Sequence, residues 1–542
     1  MKQYEMMELE WTEKAPRDSQ VAVDLVAVFT KEEKSTTVKG FYAGNDRYKI
    51  RFLPMEAGTY EYEVHGVIEA SGSIQVDAAE ENTHGPVHAE GTHLQFADGT
   101  YFCSFGTTVY ALAHQTPELT EETFATLADA PFNKVRMCVF PKHYNYNIND
   151  PEYFAFETFD GKEYKGVTLK KNDMIGCWTA AEDISDIWDV NRPCFAFWDA
   201  FEEKIERLNQ MGIQVDLILF HPYDRWGFSK LQQKDNLVYL DYLLRRFSAY
   251  PNIWWSLANE YDLCHAKSLE DWKEIEDFIA GNDPYHHMMS NHNCFPMYDF
   301  SHEAITHCSI QKRVMNLVSE LQRKYQKPVC YDECAYEGNL KEGWGSISGK
   351  EMVNRFWKVT TSGGYCTHGE VFLDPQQENI DEAVLWWAKG GSLHGESPKR
   401  IAFLRKIMEE IGAPLDPVAA GLSQIFSMSQ EQQEQVTPYL PPNIAFTVQA
   451  IGRMDRIELI RHTDSEFEYV GATADQSALL WYYGIDCHAR VDIMLPEDKT
   501  YRVEVLDAWN MTRETVATGV SGKKEIALPG REYMAVLAME EV

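Results

Sequence analysis

Over the first 82 residues apolar and polar positions alternate with a period of two, the mark of strands that bury one face. VAVDLVAVFT alternates, KGFYAGNDRYKIRFLP reads as strand, Gly-Asn-Asp turn and strand, and GTYEYEVHGVIEASGSIQV supplies two more. Short strands with regular turn signals predict an N-terminal Ig-like β-sandwich over residues 1–82, with DAAEENTHGP as an acidic linker. Over residues 83–416 the pattern changes to short apolar runs alternating with amphipathic stretches. The runs are YFCSFGTTVYAL, NKVRMCVF, IQVDLILF, NIWWSLANE, HHMMSNHN, AITHCSIQ, KPVCYDECAYEG and YCTHGEVFL. Nearly every run is followed by a helical pattern. The first of these, TPELTEETFATLADA, carries a capping box at Thr120 with Glu121 and Glu122 behind it. The weakest step lies between the fifth and sixth runs, where the helix is short or missing. A long irregular insertion, Pro141 to Pro193, follows the second run. Eight strand–helix alternations predict an α/β fold, a (β/α)8 TIM barrel of the usual ~250 residues plus insertions. Beyond Pro417 strands return as NIAFTVQAIG, RIELIRH, SALLWYYGI, HARVDIMLP, TYRVEVLDA, KKEIAL and EYMAVLAME, a second β-sandwich over residues 417–542.

Composition narrows the function classes. The formal charge of −34 argues against nucleic acid or an anionic membrane as partner. Aromatic residues at 13%, with 14 Trp and 28 Tyr, suit a cleft that stacks sugars, although large cores hold such residues too. The 11 Cys show no CxxC or metal-type spacing, and most sit in apolar runs. Buried free thiols and a reducing compartment follow. With no basic-then-apolar leader pattern and no membrane-length apolar run, a cytoplasmic location is expected. The acidic sandwiches leave a homo-oligomer open.

The chemistry gathers at the ends of two runs. NIWWSLANEYD is a buried strand that ends on Asn259 and Glu260, and YDECAYEGN brings Asp332, Glu333 and Glu337 to the end of the seventh. In a parallel barrel strand C-termini form the reactive mouth, where two carboxylates ~5–5.5 Å apart suit a retaining glycosidase. One of the pair must hold a proton at neutral pH while the other is ionised. Glu333 is preferred to Glu337 because it ends the apolar run directly.

A barrel with Asn-Glu closing strand four and Glu closing strand seven resembles glycoside hydrolase clan A, in its apiosidase-related and cellulase-related branches. The supporting stretches are FGTTVYAL and GGYCTHGEVF. The resemblance implies that Glu260 is the acid/base, Glu333 the nucleophile and Asn259 the ligand of a sugar 2-hydroxyl. It also implies that Arg136 is a fixed cation keeping Glu333 ionised. Two departures stand out. The tyrosine that bonds the nucleophile from strand six is absent from HCSIQ, which leaves that role open, with His307 a candidate for it. The tryptophan closing strand eight is replaced by His368, Gly369 and Glu370.

Tyr110, Tyr223, Trp226, Trp344, His221, His292, His307, His368 and Glu370 complete the candidate sugar contacts. No HExxH spacing supports a metal, and no cofactor is expected. The expected activity is double-displacement release of a terminal sugar, apiose or another β-linked sugar, from small glycosides. The alternatives are a non-catalytic carbohydrate-binding protein on the same scaffold, or a transglycosidase.

Overall fold

The computed structural model describes residues 1–144, 146–160, 162–164, 185–377, 382–418, 428–454 and 469–541. Two antiparallel sheets form the N-terminal domain. One contains Met7–Thr12, Arg47–Phe52 and Phe41–Tyr42; the other contains Lys34–Lys39, Leu25–Lys31, Gly58–Gly66 and Ala70–Val76. Leu25, Ala27 and Phe29 alternate inward, and Phe29 stacks on Phe52 of the facing sheet at 4.0 Å. Buried Arg51 anchors this domain to the barrel, pairing with Glu8 and Glu202 and donating to the Arg246 carbonyl at 2.8 Å.

Eight parallel strands make the barrel, in the order expected: Phe105–Thr108, Lys134–Cys138, Gln214–Phe220, Ile253–Ala258, Met289–Ser290, Cys308–Gln311, Val329–Glu333 and Tyr365–His368. The third and fourth are buried at every residue, as a sheet covered on both faces requires. A hairpin, Val87–Glu90 with His93–Phe96, plugs the floor, packing Val87, Leu94 and Phe102 against Trp254, Cys330 and Tyr365.

The fifth run shrinks to two paired residues, and no helix of the described chain separates it from the sixth. Side chains close the gap instead. Ser290 Oγ donates to the His307 carbonyl at 2.6 Å and accepts from the Ser309 amide at 3.3 Å, while the Met289 amide donates to Thr306 Oγ1 at 2.8 Å.

The first barrel helix is Pro117–Asp129, one turn earlier than expected, because Thr116 rather than Thr120 caps it. Pro117 fits a first helical turn, where no amide is needed, so the chain enters the helix there.

The C-terminal domain packs a six-stranded antiparallel sheet against the pair Arg490–Met494 and Lys523–Ala527. The sheet includes Thr512–Val520, a strand without a counterpart in the apolar pattern. NIAFTVQAIG is not a strand but the helix Pro442–Ile451. Pro442 presets its first turn, and Ile444, Val448 and Ile451 recur at helical spacing, with Val448 and Ile451 buried. RIELIRH lies outside the described residues. No described helix is long and apolar enough to cross a membrane.

Candidate active site

Glu260 stands two residues past the end of the fourth strand, after Asn259, and has a left-handed backbone (φ 58°), an uncommon conformation for a residue with a side chain. Its side chain is buried. Tyr223 donates to Oε2, and Gln311, with its amide nitrogen turned toward the carboxylate, donates to Oε1 at 3.1 Å. Burial and the charge of Glu333 raise the Glu260 pKa to about 7, against the opposing pull of Lys142 and Tyr223. Glu260 therefore holds a proton near neutrality.

Glu333 ends the seventh strand. Tyr110, just beyond the first strand, places its hydroxyl 3.1 Å from Glu333 Oε2, 2.9 Å from Asn259 Oδ1 and 3.3 Å from the Tyr336 hydroxyl. One phenol thus links the two strand ends on which the chemistry was expected. Backbone bonds hold it on both sides: its amide donates to the Trp387 carbonyl at 3.0 Å, and its carbonyl accepts from Cys138 at 2.8 Å.

Tyr110 thus makes the bond to Glu333 for which His307 was the candidate. His307 precedes the sixth strand, at the floor of the barrel, with its ring against Trp254. The missing tryptophan has a counterpart too. The short helix Trp386–Lys389 returns over the first strand and sets Trp387 among Tyr110, Tyr144, Tyr336 and Trp344, with ring centroids 4.9–6.0 Å away. Gly369 permits this arrangement, since a Cβ there would stand 2.1 Å from the Tyr336 ring.

Arg136 is fully buried, with Nε 3.0 Å from Asp216 and Nη1 3.3 Å from the Asp332 carbonyl; its charge also acts on Glu333. Lys134 joins it, 2.6 Å from Asp332. Two cations and two anions form a balanced layer beneath the mouth, and Asp332, which also accepts from Ser309 and Thr367, is held well below the usual carboxylate range.

The other candidates divide. His292 is buried with neither ring nitrogen bonded, and burial and nearby Arg136 push its pKa well down, so the ring is neutral. His221 bonds the Phe140 carbonyl at 3.2 Å, and burial lowers its pKa to about 3. His368 is drawn aside, stacked on Phe132 and bonded to Thr107.

Glu370 is not joined to the Glu260–Glu333 cluster. It accepts from the His394 and Gly395 amides, as Glu337 does from Glu396 and Ser397, so both cap the approach to the helix Pro398–Ile411. Trp226 faces the insertion, donating its indole N–H to Asp150. Two groups have ligand atoms close enough to share a cation, His307–Cys330–Asp332 and Glu337–His368–Glu370. In both the carboxylates already accept from protein donors.

Sequence reasoning overlooked Lys142, Tyr144, Gln311, Tyr336 and Trp387. The insertion that begins PKHYNYN places a lysine among tyrosines just after the second strand, a signal that was available in the pattern.

Three family matches span most of the chain: DUF5060, a domain of unknown function, at residues 1–66; the apiosidase-like catalytic domain at 88–413; and DUF5605, also of unknown function, at 467–538. No curated protein matches the chain. A crystal structure of a candidate glycoside hydrolase from Bacteroides vulgatus ATCC 8482 is 30% identical, with TM-score 0.81 over 100% of this chain and 99% of that one. A family 5 glycoside hydrolase from the same organism shares the fold at 15% identity, with TM-score 0.56 over 84% of this chain and 93% of that one. The chain thus belongs to the family of apiosidase-like catalytic domains, a glycoside hydrolase (β/α)8 barrel with a β-sheet domain on either side.

Proposed function

We propose that the protein is a retaining glycoside hydrolase in which Glu333 is the nucleophile and Glu260 the acid/base. The observation that carries this reading is the difference between the two carboxylates. Glu260 is buried with its pKa raised to about 7, partly by the charge of Glu333, while Glu333 meets the Tyr110 hydroxyl. A proton donor and an anion facing one space are what double displacement requires.

In the first step a Glu333 oxygen bonds to the anomeric carbon as the glycosidic C–O bond breaks. Glu260 gives its proton to the departing oxygen, which leaves as an alcohol. In the second step Glu260, now a carboxylate, takes a proton from water while the water oxygen attacks the same carbon and releases Glu333. Asn259, whose Oδ1 accepts from Tyr110, would meet the 2-hydroxyl. Domains on both flanks and the aromatic wall favour a pocket that removes one terminal sugar from a small glycoside. The family resemblance makes β-apiose the first sugar to try. The ten described cysteines are all free, which favours a reducing compartment and small imported substrates.

The test is hydrolysis of aryl α- and β-glycosides, apiosides and arabinofuranosides included, by the wild type, Glu260→Ala and Glu333→Ala. Release of one sugar, lost in both variants and partly restored to Glu260→Ala by azide, supports the reading. A wild type that turns over nothing, or an active Glu333→Ala, overturns it.

A further inference from the structure

Lys142 lies four residues beyond the second barrel strand, in a turn where the His143 amide bonds the Tyr223 carbonyl at 2.8 Å. The residue is 4% exposed. Its ammonium sits over the ring of Tyr110 at 3.4 Å and of Tyr223 at 4.3 Å, with Trp387 at 5.4 Å and Tyr144 at 6.0 Å. Tyr110 and Tyr223 are the phenols that bond Glu333 and Glu260, so the cation lies between the two carboxylates' partners. Among the described residues no side-chain or backbone oxygen accepts from it. Ring faces attract an ammonium but leave its three N–H donors unused. A buried charge kept without an acceptor is costly, and a ligand oxygen is what would relieve it. Two more donors around the same space lack partners, a ring nitrogen of His292 and the indole N–H of Trp387.

We infer that Lys142 is a specificity-determining residue, its ammonium donating to hydroxyls of a neutral sugar held between Glu260 and Glu333 and serving as their shared counter-charge. This inference rests on the proposed function for the second role but not for the first. Lys134 and Arg136 pair directly with Asp332 and Asp216, and Arg136 acts on Glu333 only from beneath, so Lys142 is the cation that faces the one negative charge of the catalytic pair. When Glu333 becomes an ester and Glu260 gives up its proton, that charge crosses from one carboxylate to the other. The ammonium faces both, so the balance persists through the cycle. A sugar carrying its own carboxylate would add a second anion beside Glu333, without a second cation to meet it.

Burial draws the Lys142 pKa down and Arg136 adds to that, against Cys138, Glu260 and Glu333, which hold it up; on Glu260, burial and Glu333 act against Lys142, Tyr223 and Cys294. Of these, Lys142 and the two donors Tyr223 and Cys294 lower the Glu260 pKa, so loss of Lys142 raises it.

The test compares wild type with Lys142→Met and Lys142→Gln, the second covering failure of the first to fold. Calorimetric titration with apiose, arabinose, glucose, galactose, mannose and glucuronate needs no turnover. Expected is a neutral sugar bound by the wild type, weakened at least about tenfold in the variants (one hydrogen bond to a charged group), and no binding of glucuronate. Where the wild type hydrolyses a glycoside, the alkaline limb of kcat/KM moves to higher pH in the variants. Undiminished sugar binding in the variants, Lys142-dependent binding of glucuronate, an unmoved alkaline limb in an active enzyme, or no sugar bound at all would overturn the inference. Sugar binding that depends on Lys142 in a protein that hydrolyses nothing leaves the hydroxyl contact standing and removes the hydrolase reading.

Discussion

Two polar clusters sit one above the other in this barrel, and they are finished differently. In the lower one Lys134, Arg136, Asp216 and Asp332 cancel in charge, and Asp332 alone accepts from Lys134, Ser309 and Thr367. In the upper one Glu260 shares the space with Glu333, the Lys142 ammonium meets only rings, and His292 and Trp387 keep donors without acceptors. Both are buried, so burial does not separate structure from function here. Direct charge pairing does: each charge of the lower cluster meets an opposite one from the fold, even though Arg136 Nη2 has no acceptor, whereas the Lys142 ammonium of the upper one meets only rings.

Substitutions can break that comparison. With Glu333 as the proposed nucleophile, the largest effect should come from Glu333→Ala, with kcat/KM falling on the order of 10⁴-fold or more. Circular dichroism should stay unchanged, because Glu333 bonds a phenol and not the scaffold. Asp332→Ala, one residue earlier, should do the reverse and cost about 3–5 kcal/mol in urea unfolding, since it leaves two buried cations, Lys134 and Arg136, with Asp216 alone.

Glu260→Gln should stabilise. The folded chain raises this carboxyl from 4.5 to about 7, so it retains a proton that the unfolded chain has lost between those values. Wild-type stability from this group is therefore full below the unfolded value and falls as pH rises through the folded one. The variant should gain about 1–3 kcal/mol over wild type at pH 8, with the gap closing near pH 4. Glu370, also raised to about 7, is common to both proteins and cancels. Tyr223→Phe should have the smallest effect of the four. It keeps the ring under Lys142 but removes a donor to the ionised form of Glu260, so the alkaline limb of kcat/KM should move up by about one pH unit or less.

The same distinction explains what could be read from the sequence. Strand cores are local: ILF and IWW are apolar because both faces are covered, so the barrel strands and the carboxylates at their ends were legible as NE and YDE. Shapes decided by distant partners were not. The tyrosine that meets Glu333 comes from just beyond strand one instead of strand six, and the tryptophan arrives 19 residues after the eighth strand, at Trp387. Glu370 reads as a site residue because it follows strand eight, but four backbone amides ahead of the helix Pro398–Ile411 needed acceptors, and it and Glu337 fill them. NIAFTVQAIG alternates just well enough to pass for a strand, and its period was decided by Pro442.

The join between the fifth and sixth strands has a consequence for motion. Elsewhere parallel backbone bonds close the wall, but here Ser290 and Thr306 hydroxyls do part of that work, and a hydroxyl can rotate away without breaking a ladder. Amide deuterium uptake should therefore be faster at Met289 and Ser309 than at Val215 or Leu217 of the third strand. His292 and Gln311 ride on the two sides of that join, and Gln311 touches Glu260. The Glu260 side of the mouth would then breathe while the wall formed by the first three strands stays still.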